Sequence, residues 1–129
     1  MLKKCMRLLK IGCTNVNLVL DTKEYRCGDL VSGHFQLTGG RMNETIKRLE
    51  CDLLIKDCKN QKVLSRESAA TILMTKTLGN EESIRIAFKY QLPDNLQPSS
   101  DQVVYMFHTR VIFYDNHKGM DYDEIRICS

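Results

Sequence analysis

The chain has 129 residues, 43% hydrophobic and 27% charged, which fits one globular domain around a single core. No apolar run approaches the roughly 20 residues that a membrane-spanning helix needs. The net charge of +3 is concentrated in Lys3, Lys4, Arg7 and Lys10, and without those four, 15 basic residues face 16 acidic ones; a body so nearly neutral argues against nucleic-acid binding, which needs several phosphate contacts from one basic face.

Residues 1–12 predict a short amphipathic helix. Leu2, Cys5, Met6 and Leu9 follow i, i+3, i+4, i+7 spacing, the basic residues occupy the remaining surface, and Gly12 ends the segment. Such an arm either touches a partner or an anionic membrane surface through Lys3, Lys4, Arg7 and Lys10, or packs as a lead-in helix against the domain edge. Arg7 and Lys10 interrupt the apolar stretch that a secretory signal needs, and Lys10 spoils a lipoprotein box before Cys13. The six cysteines are accordingly expected as reduced thiols in a cytoplasm.

Residues 13–129 read as a second segment, built from strands. Val16, Leu18 and Leu20 alternate, a polar turn spans 21–24, Tyr25 resumes, and Cys27-Gly28-Asp29 turns again. Val31, Gly33, Phe35 and Leu37 share a face, and Thr38-Gly39-Gly40 closes that strand. Leu49, Cys51, Leu53 and Ile55 stand opposite Arg48, Glu50, Asp52 and Lys56, whose mixed charges read as solvated surface. A long strand over 62–77 turns Ala70, Ile72 and Met74 inward. Ile84, Ile86, Phe88 and Tyr90 then alternate with Arg85, Ala87, Lys89 and Gln91, and Pro93 stops the run because it has no N–H for a ladder. The stretch 103–114 is long enough to cross a sheet, and 121–127 forms a last strand with Tyr122 and Glu124 opposite Ile125 and Ile127. The predicted core includes Val16, Leu18, Phe35, Leu53, Ile86, Phe88, Phe107 and Val111. Many strands with turns between them indicate an all-β, two-sheet antiparallel immunoglobulin-like sandwich, preceded by the short N-terminal helix.

Side-chain chemistry is sparse. His108, Asp115 and His117 could supply three ligands to an open zinc site. The plainer reading is a strand histidine followed by a polar turn. Asp121, Asp123 and Glu124 lack the spacing of a helix–loop–helix calcium site. No C-x-x-C pair, G-x-S-x-G elbow or phosphate-cradling glycine loop occurs. The expectation is therefore no catalytic residue, no metal and no cofactor, and a protein that is not an enzyme.

Several stretches, taken together and in order, resemble the arrestin-like N-terminal lobe of the bacterial sporulation-control proteins (stage-zero sporulation protein M). They are the basic start ending in glycine, Val16–Leu20, Gly28-Asp-Leu-Val-Ser-Gly-His-Phe35, Leu37-Thr-Gly-Gly40, Phe88-Lys-Tyr-Gln-Leu-Pro93, the His108-Thr109 pair and the closing 121–127 strand. The resemblance implies a non-catalytic regulatory or adaptor module that works through protein contacts, with sporulation control as its process. Arrestin-type proteins usually join two such lobes, and this sequence carries one. A partner peptide could add to a sheet edge as an extra strand. The alternatives are a peripheral module using the basic arm on an anionic membrane, and a metal-dependent enzyme using His108, Asp115 and His117.

Overall fold

The computed structural model describes residues 14–41 and 43–129. The helix predicted over 1–12, with Lys3, Lys4, Arg7 and Lys10, lies outside the described residues. Eight strands follow: β1 Asn15–Leu20, β2 Glu24–Arg26, β3 Leu30–Thr38, β4 Thr45–Asp57, β5 Lys62–Thr77, β6 Ser83–Gln91, β7 Val103–Phe113 and β8 Lys118–Cys128. They form a small sheet in the order β1-β3-β6 and a large one in the order β2-β8-β7-β4-β5. The all-β sandwich read from the alternation is present. One pairing departs from it: β2 runs parallel to β8, Glu24 opposite Arg126. β1 pairs in the small sheet, whereas β2, three residues further on, pairs at the edge of the large one.

The core forms where the inner faces of the two sheets meet. Val16, Leu18, Phe35, Leu53, Phe88, Phe107 and Val111 are all buried. Ile86, expected in the core, is only partly covered and packs against it from β6. Ala70, Ile72 and Met74 of β5 also pack on the core, as their spacing required. β7 sits between β4 and β8 over its length, which explains its long apolar run. Phe35, Phe88 and Phe107 interlock edge to face, with centroids 5.1 and 5.4 Å apart.

Two glycines of the Gly28–Phe35 stretch have separate physical reasons. Gly28 has φ +80°, a left-handed conformation that a β-carbon disfavours. Gly33 lies where β3 meets β1, and a β-carbon there would run into the carbonyl oxygen of Val19. Gly33→Ala is expected to lower the urea midpoint by more than a surface alanine substitution does, since backbone rather than a flexible side chain must move.

Inside, Asp121 ties the sheets together. Its carboxylate accepts the backbone N–H of Leu18 at 2.9 Å, so one of the three acids weighed as calcium ligands is a buried bridge between β8 and β1. β8 also starts earlier than expected, at Lys118.

Cys27, Cys51, Cys58 and Cys128 are free thiols. Burial pushes the Cys51 thiol up to about 12, against a weaker opposing hydrogen bond from Thr109. In native protein at neutral pH, an alkylating reagent is expected to modify Cys58 and Cys128 well before Cys51. Mass spectrometry of the digested protein reads this directly, and early labelling of Cys51 would contradict its burial.

Candidate functional site

The outer face of the large sheet carries a cluster of charged and polar side chains. Strand pairing sets it out in rows. Arg48 of β4 lies beside Leu73 of β5 and Ile112 of β7; Glu50 lies between Thr71 and Arg110; Asp52 lies between Ser68 and His108. β8 extends those rows, with Met120 beside Arg110 and Tyr122 beside His108. A register shift between Ile46 and Arg48 keeps Ile46 in the core while Arg48 faces out.

These charges are paired rather than loose. Arg110 donates to Glu50 at 2.8 Å and lies 3.0 Å from Asp52. Arg48 holds the other oxygen of Glu50 at 2.6 Å, and Arg66 reaches Asp52 at 2.8 Å. The hydrogen bond from Arg110 holds the Glu50 carboxyl below its ordinary range, although burial works the other way. Burial opposes the charge on Arg110, but its bonds to Glu50 and Asp52 prevail and raise its pKa. Asp52 is buried, and so are Leu54 and Met106 on the same face. The expectation that this face of β4 is simply solvated is corrected: Arg66 of β5 and Arg110 of β7 reach across to the carboxylates of β4, Arg48 pairs with Glu50 within β4, and the resulting network shields the charges.

His108 stands in this network, its ring stacked on Tyr122 at 4.3 Å and nearly parallel. Its Nδ1 is 3.2 Å from an Arg110 nitrogen and 3.4 Å from one of Arg66. Guanidinium groups only donate, so Nδ1 is the acceptor and the proton sits on Nε2. Burial first, then Arg110 and Arg66, push the His108 pKa down to about 4.

The three residues considered together as zinc ligands separate. His108 lies on β7 within this network, while Asp115 and His117 sit in the β7–β8 turn. The side chain that joins them is Glu44, placed just before β4. Cys51 is also parted from His108. The thiol faces the core and the imidazole faces outward, so the sheet separates that nucleophile from that base. A cleft of about 250 Å³ between β4, β5 and the 93–96 loop is lined by Leu53, Ile55, Ser65, Glu67, Pro93, Asn95 and Leu96. It is smaller than the usual small-molecule pocket.

Arg66 and Arg110 were not singled out by the sequence reading. The signal available was His108-Thr109-Arg110, a polar interruption of an apolar and aromatic run.

The model of one family, described as SpoOM protein, matches residues 2–129. The chain belongs to the Spo0M family. The crystal structure of Spo0M, a sporulation control protein from Bacillus subtilis, superposes with a TM-score of 0.76 at 19% identity, covering 92% of this chain and 51% of that one. This chain therefore spans about half the length of that family member. Weaker likenesses in fold alone are a DNA-bound alkylpurine DNA glycosylase from Pseudomonas fluorescens and a β-glucosidase from Listeria innocua. The first has a TM-score of 0.53 at 15% identity over 96% of this chain and 33% of that one. The second has 0.51 at 12% over 90% and 16%. No curated protein matches by sequence. Among the described residues of this Spo0M-family chain, no helix is long and apolar enough to cross a membrane.

Proposed function

We propose that this Spo0M-family chain is a non-catalytic regulatory module that acts through protein contacts made by the outer face of its large sheet, in the control of sporulation. The observation that carries this is the ring of exposed apolar side chains around the locked charges. Leu73 is 79% exposed, Tyr114 55%, Tyr122 39% and Met120 36%. Aromatic, methionine and arginine side chains together are what protein interfaces favour, and paired arginines keep the centre from repelling an approaching surface. The edge of β5 is a poorer docking strand, because three register irregularities interrupt its pairing with β4 and twist the edge. A cytoplasmic location follows as part of the same proposal, supported by the free thiols.

The test is capture of partners from the native cytoplasm, read by mass spectrometry. Leu73→Asp combined with Tyr114→Ser is expected to abolish retention of the soluble partners. Leu73→Asp alone is expected to change stability by no more than about 0.5 kcal/mol, as at other exposed sites. Partners retained by the folded double variant would remove this face from the proposal. Membrane fragments lost on deletion of residues 1–12 would favour the basic arm instead.

A further inference from the structure

We propose that Glu44, Asp115 and His117 form a binding site for one divalent metal ion of the zinc or manganese type. The observation that points to a ligand is Glu44. Its side chain is only 7% exposed, and neither carboxylate oxygen accepts a hydrogen bond. A buried carboxylate left in that condition is unfavourable unless a cation compensates it. The group it faces is His117, whose Nδ1 lies 3.5 Å from Glu44 Oε2 and 3.0 Å from Asp115 Oδ2. All three ligand atoms lie within 4.8 Å of one another.

These separations have a simple meaning. Oxygen and nitrogen atoms held about 2.1 Å from one metal at tetrahedral or octahedral angles lie roughly 3.0–3.4 Å apart. Of the two distances from His117, 3.0 Å to Asp115 falls within that spacing and 3.5 Å to Glu44 lies just beyond it. Asp115 and His117 are half-exposed or more, so their side chains can complete the closure while the buried Glu44 stays fixed.

The backbone assembles the three residues. Asn116 adopts φ +72°, and Asp115 Oδ1 accepts the His117 N–H at 3.0 Å, leaving Oδ2 turned toward the imidazole. The N–H of Tyr114 donates to the carbonyl of Thr45 at 3.2 Å, which holds this turn against the start of β4 and so against Glu44. One imidazole nitrogen with two carboxylates suits zinc or manganese better than a site for calcium, which takes six to eight oxygens. Open coordination positions would hold water. The bound ion would clamp the β7–β8 turn to the segment leading into β4.

Manganese is the probe, because the free thiols compete for zinc but not for a harder ion. Chelator-treated full chain at pH 7.5 is titrated with Mn²⁺, with bound ion counted by electron paramagnetic resonance and located by broadening of backbone amide signals. One ion per chain is expected, with broadening centred on residues 44 and 115–118. His117→Gln, at an exposed position, is expected to keep the fold and weaken binding at least tenfold, and Glu44→Gln to do the same. Two results would overturn the site: no broadening at millimolar Mn²⁺, or an affinity unchanged by His117→Gln.

Discussion

Phe88→Ala is expected to destabilise the protein by about 3–5 kcal/mol, the range for emptying a fully buried aromatic position. Phe88 is buried on β6 of the small sheet. It meets Phe35 of the same sheet at 5.1 Å and Phe107 of the large sheet at 5.4 Å, both edge to face. Tyr90 approaches Phe107 from the same strand at 6.1 Å. Removal of this ring therefore deletes transfer free energy, two aromatic contacts and one of the links between the sheets at once. A domain of this size has a total stability of about 5–15 kcal/mol, so the loss is a large fraction of it. Urea denaturation measures it: the midpoint should fall steeply while the slope is kept. Phe88→Leu, which retains most of the volume, should fall between the two. A near-neutral Phe88→Ala would mean that the inter-sheet packing of these rings is not what holds the sandwich together.

The strands that build this core were legible in the sequence for a definite reason. An inner face must be apolar at every second residue, and in 84–91 and 31–37 that requirement leaves a period of two that nothing else imitates. The long β7 was equally legible from its length. β2 was not seen as a parallel partner of β8, because three residues carry no period and pairing at 24–26 with 126–128 depends on the whole chain. The outer face of the large sheet was hidden by chemistry. Charged residues alternating with apolar ones read as solvated surface, and only the register places Glu50 against Arg110, 60 positions away. The His108, Asp115 and His117 grouping failed for a related reason. Proximity in sequence put them together, whereas His108 belongs to the strand and the turn beyond it brings the other two to Glu44.

That same network fixes an acid-dependent loss of stability. Four elements bear on His108: Asp52 from β4, Arg66 from β5, Arg110 from β7 and Lys118 from β8, and the three cations together with burial outweigh the single carboxylate. The folded-state value of about 4 lies below the ordinary 6.5 of an unfolded imidazole. Between those two values the unfolded chain binds a proton that the folded chain refuses, so stability rises with pH across this window and falls as the solution is acidified. The full effect is at most about 3 kcal/mol, from about 1.4 kcal/mol for each unit of difference. Urea midpoints taken between pH 7 and pH 4.5 should decline in the native sequence. His108→Phe keeps a ring against Tyr122 and leaves Arg66 and Arg110 with their carboxylates, so its decline should be shallower. Glu50 is distinguished by its window: its carboxyl lies below the ordinary range, so the stability it contributes is present above the unfolded carboxylate value and is lost only in stronger acid. Imidazole signals followed by nuclear magnetic resonance give the decisive check. A His108 ring that stays neutral down to about pH 4 confirms the direction, whereas one that gains its proton near 6.5 would mean that neither the burial nor the two guanidinium groups govern it.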